Sequence, residues 1–283
     1  MTTTIERTFE PMAAIDPMHQ FLIHKIVDLR VQVPGLGVLD MSITNSVITM
    51  MAAAAIISVF LWASARRQVV PSRLQSLGES LYGIVDSVLV EPIIGPQGRP
   101  FVPFVFTIFM MVLVMNVMGI VLGVGHLVGQ DWTFTATAQL AVTVTLALIT
   151  FISVIVIGFV RNGVGMYKLF IPSGMPFALL LFMVPIELIS FFVRPLTLSM
   201  RLFGNMIGGH VVMNIFASFV VGLGLFAMTG GVAALGFLGS GVSLALVVAL
   251  TGLELIVAFL QAFVFAALTT VYLNEVVNLG HGH

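Results

Sequence analysis

Residues 185–214 read PIELISFFVRPLTLSMRLFGNMIGGHVVMN. The stretch is far too apolar for a soluble core helix, yet it holds Glu187, Arg194, Arg201, Asn205, His210 and Asn214. An arginine near the middle of a bilayer costs about 2.5–3.5 kcal/mol on insertion scales. Arginine cannot escape that cost by losing its proton, because its pKa stays above about 12. Such a cation requires a partner and a water pocket, and ionisable groups inside membrane segments point to function.

The surrounding chain agrees with a membrane setting. Of its 283 residues, 59% are hydrophobic and 8% charged, against roughly 25% charged in ordinary globular domains. The net charge of −1 leaves no basic surface for nucleic acid. No GxxxxGK[ST] run is present, so direct nucleotide binding is not expected. Cysteine is absent, which excludes disulfides and thiolate metal sites. The closing LGHGH, with His281 and His283, is too tightly spaced to read as a metal site, and no cofactor is expected. The first twenty residues lack the basic and apolar regions of a cleavable signal.

The fold class expected is an all-α membrane protein with about five crossing helices and an amphipathic surface or hairpin helix. Residues 1–40 form an outer-side segment in which His19 to Val31 suits a short surface helix. Residues 41–169 carry three spans, near Ser42–Ala63, Phe101–Val124 and Thr133–Val160, each near the twenty residues a crossing needs. Between the first two lies Leu74–Val90, too polar to span, started after Pro71 and ended before Pro92. Residues 170–283 hold two long apolar stretches, roughly 172–221 and 240–277, joined by a glycine-rich link. About fifty helical residues rise about 75 Å against a hydrocarbon core of about 30 Å, so these two helices must be steeply tilted. Arg66, Arg67, Arg73 and Arg99 cluster in one loop region and Arg161 and Lys168 in another. The positive-inside rule puts those loops inside and the N-terminal segment outside.

Helical phase sorts the polar set. At about 100° per residue, Glu187, Arg194, Thr197, Arg201, Asn205 and Gly208 fall within about 40° of one line, while His210 and Asn214 point the other way. The last span adds Glu254 and Gln261, in TGLELIVAFLQAFVF. His210 is about 13.5 Å beyond Arg201, and Glu254 about 10.5 Å beyond Gln261 on an antiparallel helix. If Arg201 and Gln261 are level, His210 and Glu254 are nearly level too, and an imidazole beside a carboxylate suits proton relay. Glu187 lies about 21 Å to the inner side of Arg201.

Plainer roles stand beside these. Arg194 can snorkel or pair with Glu187. Asn205, Asn214 and Gln261 also suit interhelical hydrogen bonds, and Asn116 in the second span reads as structural. Ser199 and Thr197 can bond their own helix backbone.

RLFGNMIGGH resembles the signature around the essential arginine of subunit a of F-type ATP synthases. The resemblance extends to LQAFVFAALTTVYL, to DPMHQF and to SITNS. It implies a stator subunit beside a rotating ring of c subunits, held by b-type peripheral stalk subunits within the ATP synthase complex. On matched positions it makes Arg201 the arginine that separates two half-channels. His210 and Glu254 become the outer-channel pair, and Glu187 the inner acid. Asn205 and Gln261 become polar positions near the arginine. Asn214, one turn beyond His210 on the same side of the helix, is counted in the path for that placement and not for the resemblance. The RLFGNM run looks bacterial, which implies the inner membrane of a bacterium. The protein would be no enzyme by itself. An ion-coupled secondary transporter is the alternative, but such proteins show repeated halves with broken helices, and no repeat is evident here. A purely structural scaffold would leave the Arg201 stretch unexplained.

Overall fold

The computed structural model describes residues 25–27, 30–33, 37–40, 42–65, 71–127, 136–169, 171, 177–229 and 236–279. The described chain begins with four short strands: β1 (Lys25–Val27), β2 (Arg30–Val33), β3 (Gly37–Asp40) and β4 (Ile43–Thr44). They pair antiparallel as β1 with β4 and β2 with β3. The surface helix expected over His19–Val31 is therefore corrected where it is described, since Lys25–Val27 and Arg30–Val31 are strand. The run RVQV alternates apolar and polar side chains and contains two valines, a period-two pattern suited to a paired ribbon. His19, His24, Asp28, the DPMHQF run, Arg66, Arg67, His281 and His283 lie outside the described residues.

Six longer helices follow: α1 (Asn45–Ser64), α2 (Arg73–Gly83), α3 (Val102–Leu127), α4 (Leu140–Asn162), α5 (Phe177–Ala227) and α6 (Gly236–Val277). All but α2 are long and apolar enough to cross a membrane, so five candidate spans are present among the described residues. Many of their large apolar side chains face outward, including Trp62, Val160 and Phe182, the inverse of what water would select.

α2 starts where expected. Ser72 accepts a hydrogen bond from the Gln75 backbone N–H at 3.3 Å, an N-cap that satisfies one of the open donors of the first turn. Its end differs from expectation. The helix continues as a π-helical stretch, Ile84–Val90, and an α turn, Glu91–Ile94, so Pro92 does not stop it. Across the joint the Glu91 N–H bonds back to the Asp86 carbonyl. Pro92, which has no N–H to donate, is the second residue of that α turn, directly after the π-helical stretch. Gly95, at φ 78°, makes the stop that Pro92 does not.

α5 runs unbroken for 51 residues through Pro185 and Pro195, and α6 for 42 residues. The glycine-rich link is shorter than its composition suggested, because α5 extends to Ala227 and α6 begins at Gly236.

The chain divides into two compact units. The first comprises residues 1–51, 115–139 and 204–258. Here the later part of α5 and the earlier part of α6 pack antiparallel. Ser240 donates to the Val220 carbonyl at 2.8 Å, and Thr251 Oγ1 reaches Met213 Sδ at 3.5 Å. Ile120, Ala138, Met206 and Ala258 form a buried apolar cluster. Asn116 donates to the Ala258 carbonyl at 3.4 Å, and Ser46 donates to Gln139 Oε1 at 3.0 Å.

The second unit comprises residues 52–114, 140–203 and 259–283. Val154, Met166 and Val276 form its buried cluster, with Phe104, Leu169, Tyr272 and Leu279 packed around them. Gly158 permits the approach of α4 and α6, since a Cβ there would overlap the Val276 side chain of α6 and also come within 2.8 Å of Met166. Phe151 packs against Phe191 of α5 with ring centres 4.8 Å apart and planes tilted by 53°, and Phe109 meets Phe259 of α6 edge-on at 5.9 Å. Asn162 donates to the Val276 carbonyl at 2.7 Å, and Asn278 to the Ile94 carbonyl at 3.3 Å.

Candidate functional site

The polar set falls into two groups, one in each unit. In the first, His210 and Asn214 of α5 and Glu254 of α6 are all buried. Their level is set by the antiparallel pairing: Met213 meets Thr251, and one turn away Gly209 meets Glu254. The Glu254 carboxylate lies against the α5 backbone at Gly209, the residue before His210. A Cβ at Gly209 would fall 3.1 Å from Glu254 Cδ and 3.2 Å from Cγ, and would overlap Oε1. The absence of a side chain at Gly209 is what lets the carboxylate sit this close.

His210 and Glu254 thus share a level, as the helical rise implied. No hydrogen bond joins them, because neither Glu254 oxygen has a protein partner among the described residues. Asn214 Oδ1 is in the same condition. Buried oxygens of this kind favour contact with water or a transferable proton over apolar surroundings. Asn205, Gly204 and Gly208 are exposed, and among the described residues nothing beyond the local helix backbone lies within 4 Å of where a Cβ on either glycine would be.

In the second unit, Arg194 is the hub. It donates to Glu187 Oε1 at 3.4 Å and makes a tighter ion pair with Glu275 Oε2. Its guanidinium carbon is 5.0 Å from the centre of the Tyr272 ring and 5.7 Å from that of Phe191, within cation–π range. The expected Arg194–Glu187 pair is therefore present. Glu275 was not anticipated, yet the antiparallel pairing that levels residue 209 with 254 also levels 187 with about 276, so extending it would have found this residue. Gln261 is buried, and Ser199 and Thr197 bond the Leu196 and Arg194 carbonyls of their own helix. Arg201 is exposed, and no described residue gives it a hydrogen bond or ion pair.

No group of three or more potential metal ligands occurs among the described residues.

Five crossing-length helices, a buried imidazole and carboxylate at one level, and an outward arginine define a multi-pass membrane protein with ionisable groups inside its membrane segments. The chain belongs to the ATP synthase A chain family, which matches residues 46–274. It is 45% identical over 269 residues to ATP synthase subunit a of Allorhizobium ampelinum, covering 95% of this chain and 99% of the relative. Against ATP synthase subunit a of Chelativorans sp. the identity is 44%, covering 95% of this chain and all of the relative. Against that of Rhodopseudomonas palustris strain HaA2 it is 43%, again with 95% of this chain and all of the relative covered.

Proposed function

We propose that this chain is the proton-translocating stator subunit of an F-type ATP synthase in a bacterial inner membrane. Its partners are a ring of c subunits carrying buried carboxylates, b-type peripheral stalk subunits and the remainder of the complex. Protons reach a ring carboxylate through an outer polar zone at His210, Glu254 and Asn214. They leave through an inner zone at Glu187. Arg201, with Asn205 and Gln261 as its polar neighbours in the path, separates the two zones.

One observation carries the reading: Arg201 is an outward-facing cation on an intramembrane helix, with no ion-pair partner among the described residues. Its counter-charge then comes from another subunit. Coulomb attraction between a guanidinium and a carboxylate at 4 Å is about 4 kcal/mol at an effective dielectric near 20. An attraction of that size favours the ionised form of each passing carboxylate and so strips its proton. A fixed cation between the zones also repels a proton moving straight from one to the other. Arginine suits this better than lysine, which can itself lose a proton in such surroundings.

The deciding experiment replaces Arg201 by alanine in the assembled complex and measures ATP-driven acidification of inverted vesicles. The expected result is loss of pumping with normal assembly. Coupled pumping at the normal rate would remove the basis of the proposal.

A further inference from the structure

The Arg194 cluster contains more charge than an inner-zone carboxylate needs. Two acids share one guanidinium, and they share it unequally. Glu275 takes the tighter bond, while Glu187 stands at 3.4 Å. The arginine also lies over two aromatic faces, Tyr272 and Phe191, which add cation–π attraction at the same place. All three charged side chains are partly buried, at 18%, 33% and 30% exposure for Arg194, Glu187 and Glu275, so their mutual attraction is only partly screened.

We propose that Glu275 is a dedicated counter-ion for Arg194, and that the two act as positioning residues which keep Glu187 placed but not locked, able to accept and release the outgoing proton. This rests on the reading of Glu187 as the inner-zone acid. The logic is a competition. Arg194 alone with Glu187 would form a tight closed pair, in which an arriving proton must displace a guanidinium. Glu275 occupies that guanidinium and leaves Glu187 on a long bond. Without Arg194, two carboxylates face each other uncompensated, and an arriving proton is held between them rather than passed on. Removing both Arg194 and Glu275 leaves Glu187 alone with the same net charge, since two carboxylates and one guanidinium also sum to one negative charge.

The test is a mutant cycle in the assembled complex, read as proton conduction through vesicle membranes and normalised to the amount of complex present. Glu275→Gln and Arg194→Gln should each lower conduction by about tenfold, less than the roughly 10²–10⁴-fold of a group that itself transfers the proton, because both act through Glu187. The double variant R194Q/E275Q should recover to within about threefold of the parent, a non-additivity that a purely structural pair does not give. Multiplying losses in an assembled double variant would overturn the proposal, as would normal conduction in either single variant. If R194Q does not assemble, Arg194→Lys joins E275Q and the double variant in the comparison. It keeps the charge and should conduct better than E275Q; equal loss would count against the proposal. Glu187→Gln separates the levels of inference. Normal conduction in E187Q defeats the inner-zone reading itself. Impaired E187Q with normal E275Q and R194Q defeats only the counter-ion assignment.

Discussion

Gly209→Ala isolates one contact. The added carbon would lie 3.1 and 3.2 Å from Glu254 Cδ and Cγ, inside the 3.5–4.0 Å optimum for carbon pairs, and would overlap Oε1. The obstructed group is the far end of a flexible side chain, so the carboxylate swings aside and the helices keep their spacing. The overpacking cost then sits near the lower end of its usual range, about 1 kcal/mol. Exchanging glycine for alanine within a helix returns roughly 0.5–1 kcal/mol. These effects nearly cancel, so the complex should assemble and melt as the parent does. Conduction should respond differently, because a displacement of about 1 Å at a reacting group can cost on the order of a hundredfold. The assay is dye-reported acidification of inverted vesicles, beside immunodetection of the chain. G209A should assemble normally and pump at least about tenfold more slowly, a conservative fraction of that hundredfold. Gly224→Ala provides the comparison on the same helix, since its new Cβ meets Ser240 Oγ at an ordinary 3.5 Å and pumping should be unchanged. Full pumping by G209A would refute the link between the seat of Glu254 and proton flow. Loss of assembly would refute the energetic reasoning.

Gly158→Val should destabilise the second unit by about 1–3 kcal/mol, through collision with Met166 and Val276, and thermal stability of the solubilised complex would register it. Ser72→Ala removes the N-cap of α2 and should cost about 1 kcal/mol, read as faster proteolysis near residue 72. Since the sequence has no cysteine, a Met213→Cys, Thr251→Cys pair should be joined by a short thiol cross-linker without background, and failure to join would contradict the antiparallel pairing of α5 and α6.

The crossing helices were legible because their signal is composition sustained over twenty residues or more, which no local feature overrides. The level of His210 with Glu254 was legible because a helix has a fixed rise and the two stretches had to be antiparallel. Three features were not. The strands at Lys25–Val27 and Arg30–Val33 are too short to show a sustained period, and a mixture of charged and apolar residues there resembles an amphipathic helix. Proline breaks an interior helix, so the sequence suggests a stop at Pro92, whereas the π-helical stretch before it moves the backbone donors by one residue. Glu275 gives no such signal, since it lies near the end of an apolar run, where a carboxylate ordinarily marks a wet helix terminus. Its meaning depends on Arg194, 81 residues earlier, and only packing joins them.

The order of synthesis gives the Arg194 cluster another significance. Chains emerge from the ribosome N-terminus first, so α5 reaches the membrane while Glu275 has yet to be made. Glu187 and Arg194 are seven residues apart on that helix and already within reach of one another, so α5 carries a provisional partner for this cation into the lipid. Arg201 has none on its own helix among the described residues. Insertion of α5 therefore carries one arginine into the lipid with a carboxylate on its own helix and the other without one among the described residues, so the two cations enter at different electrostatic cost.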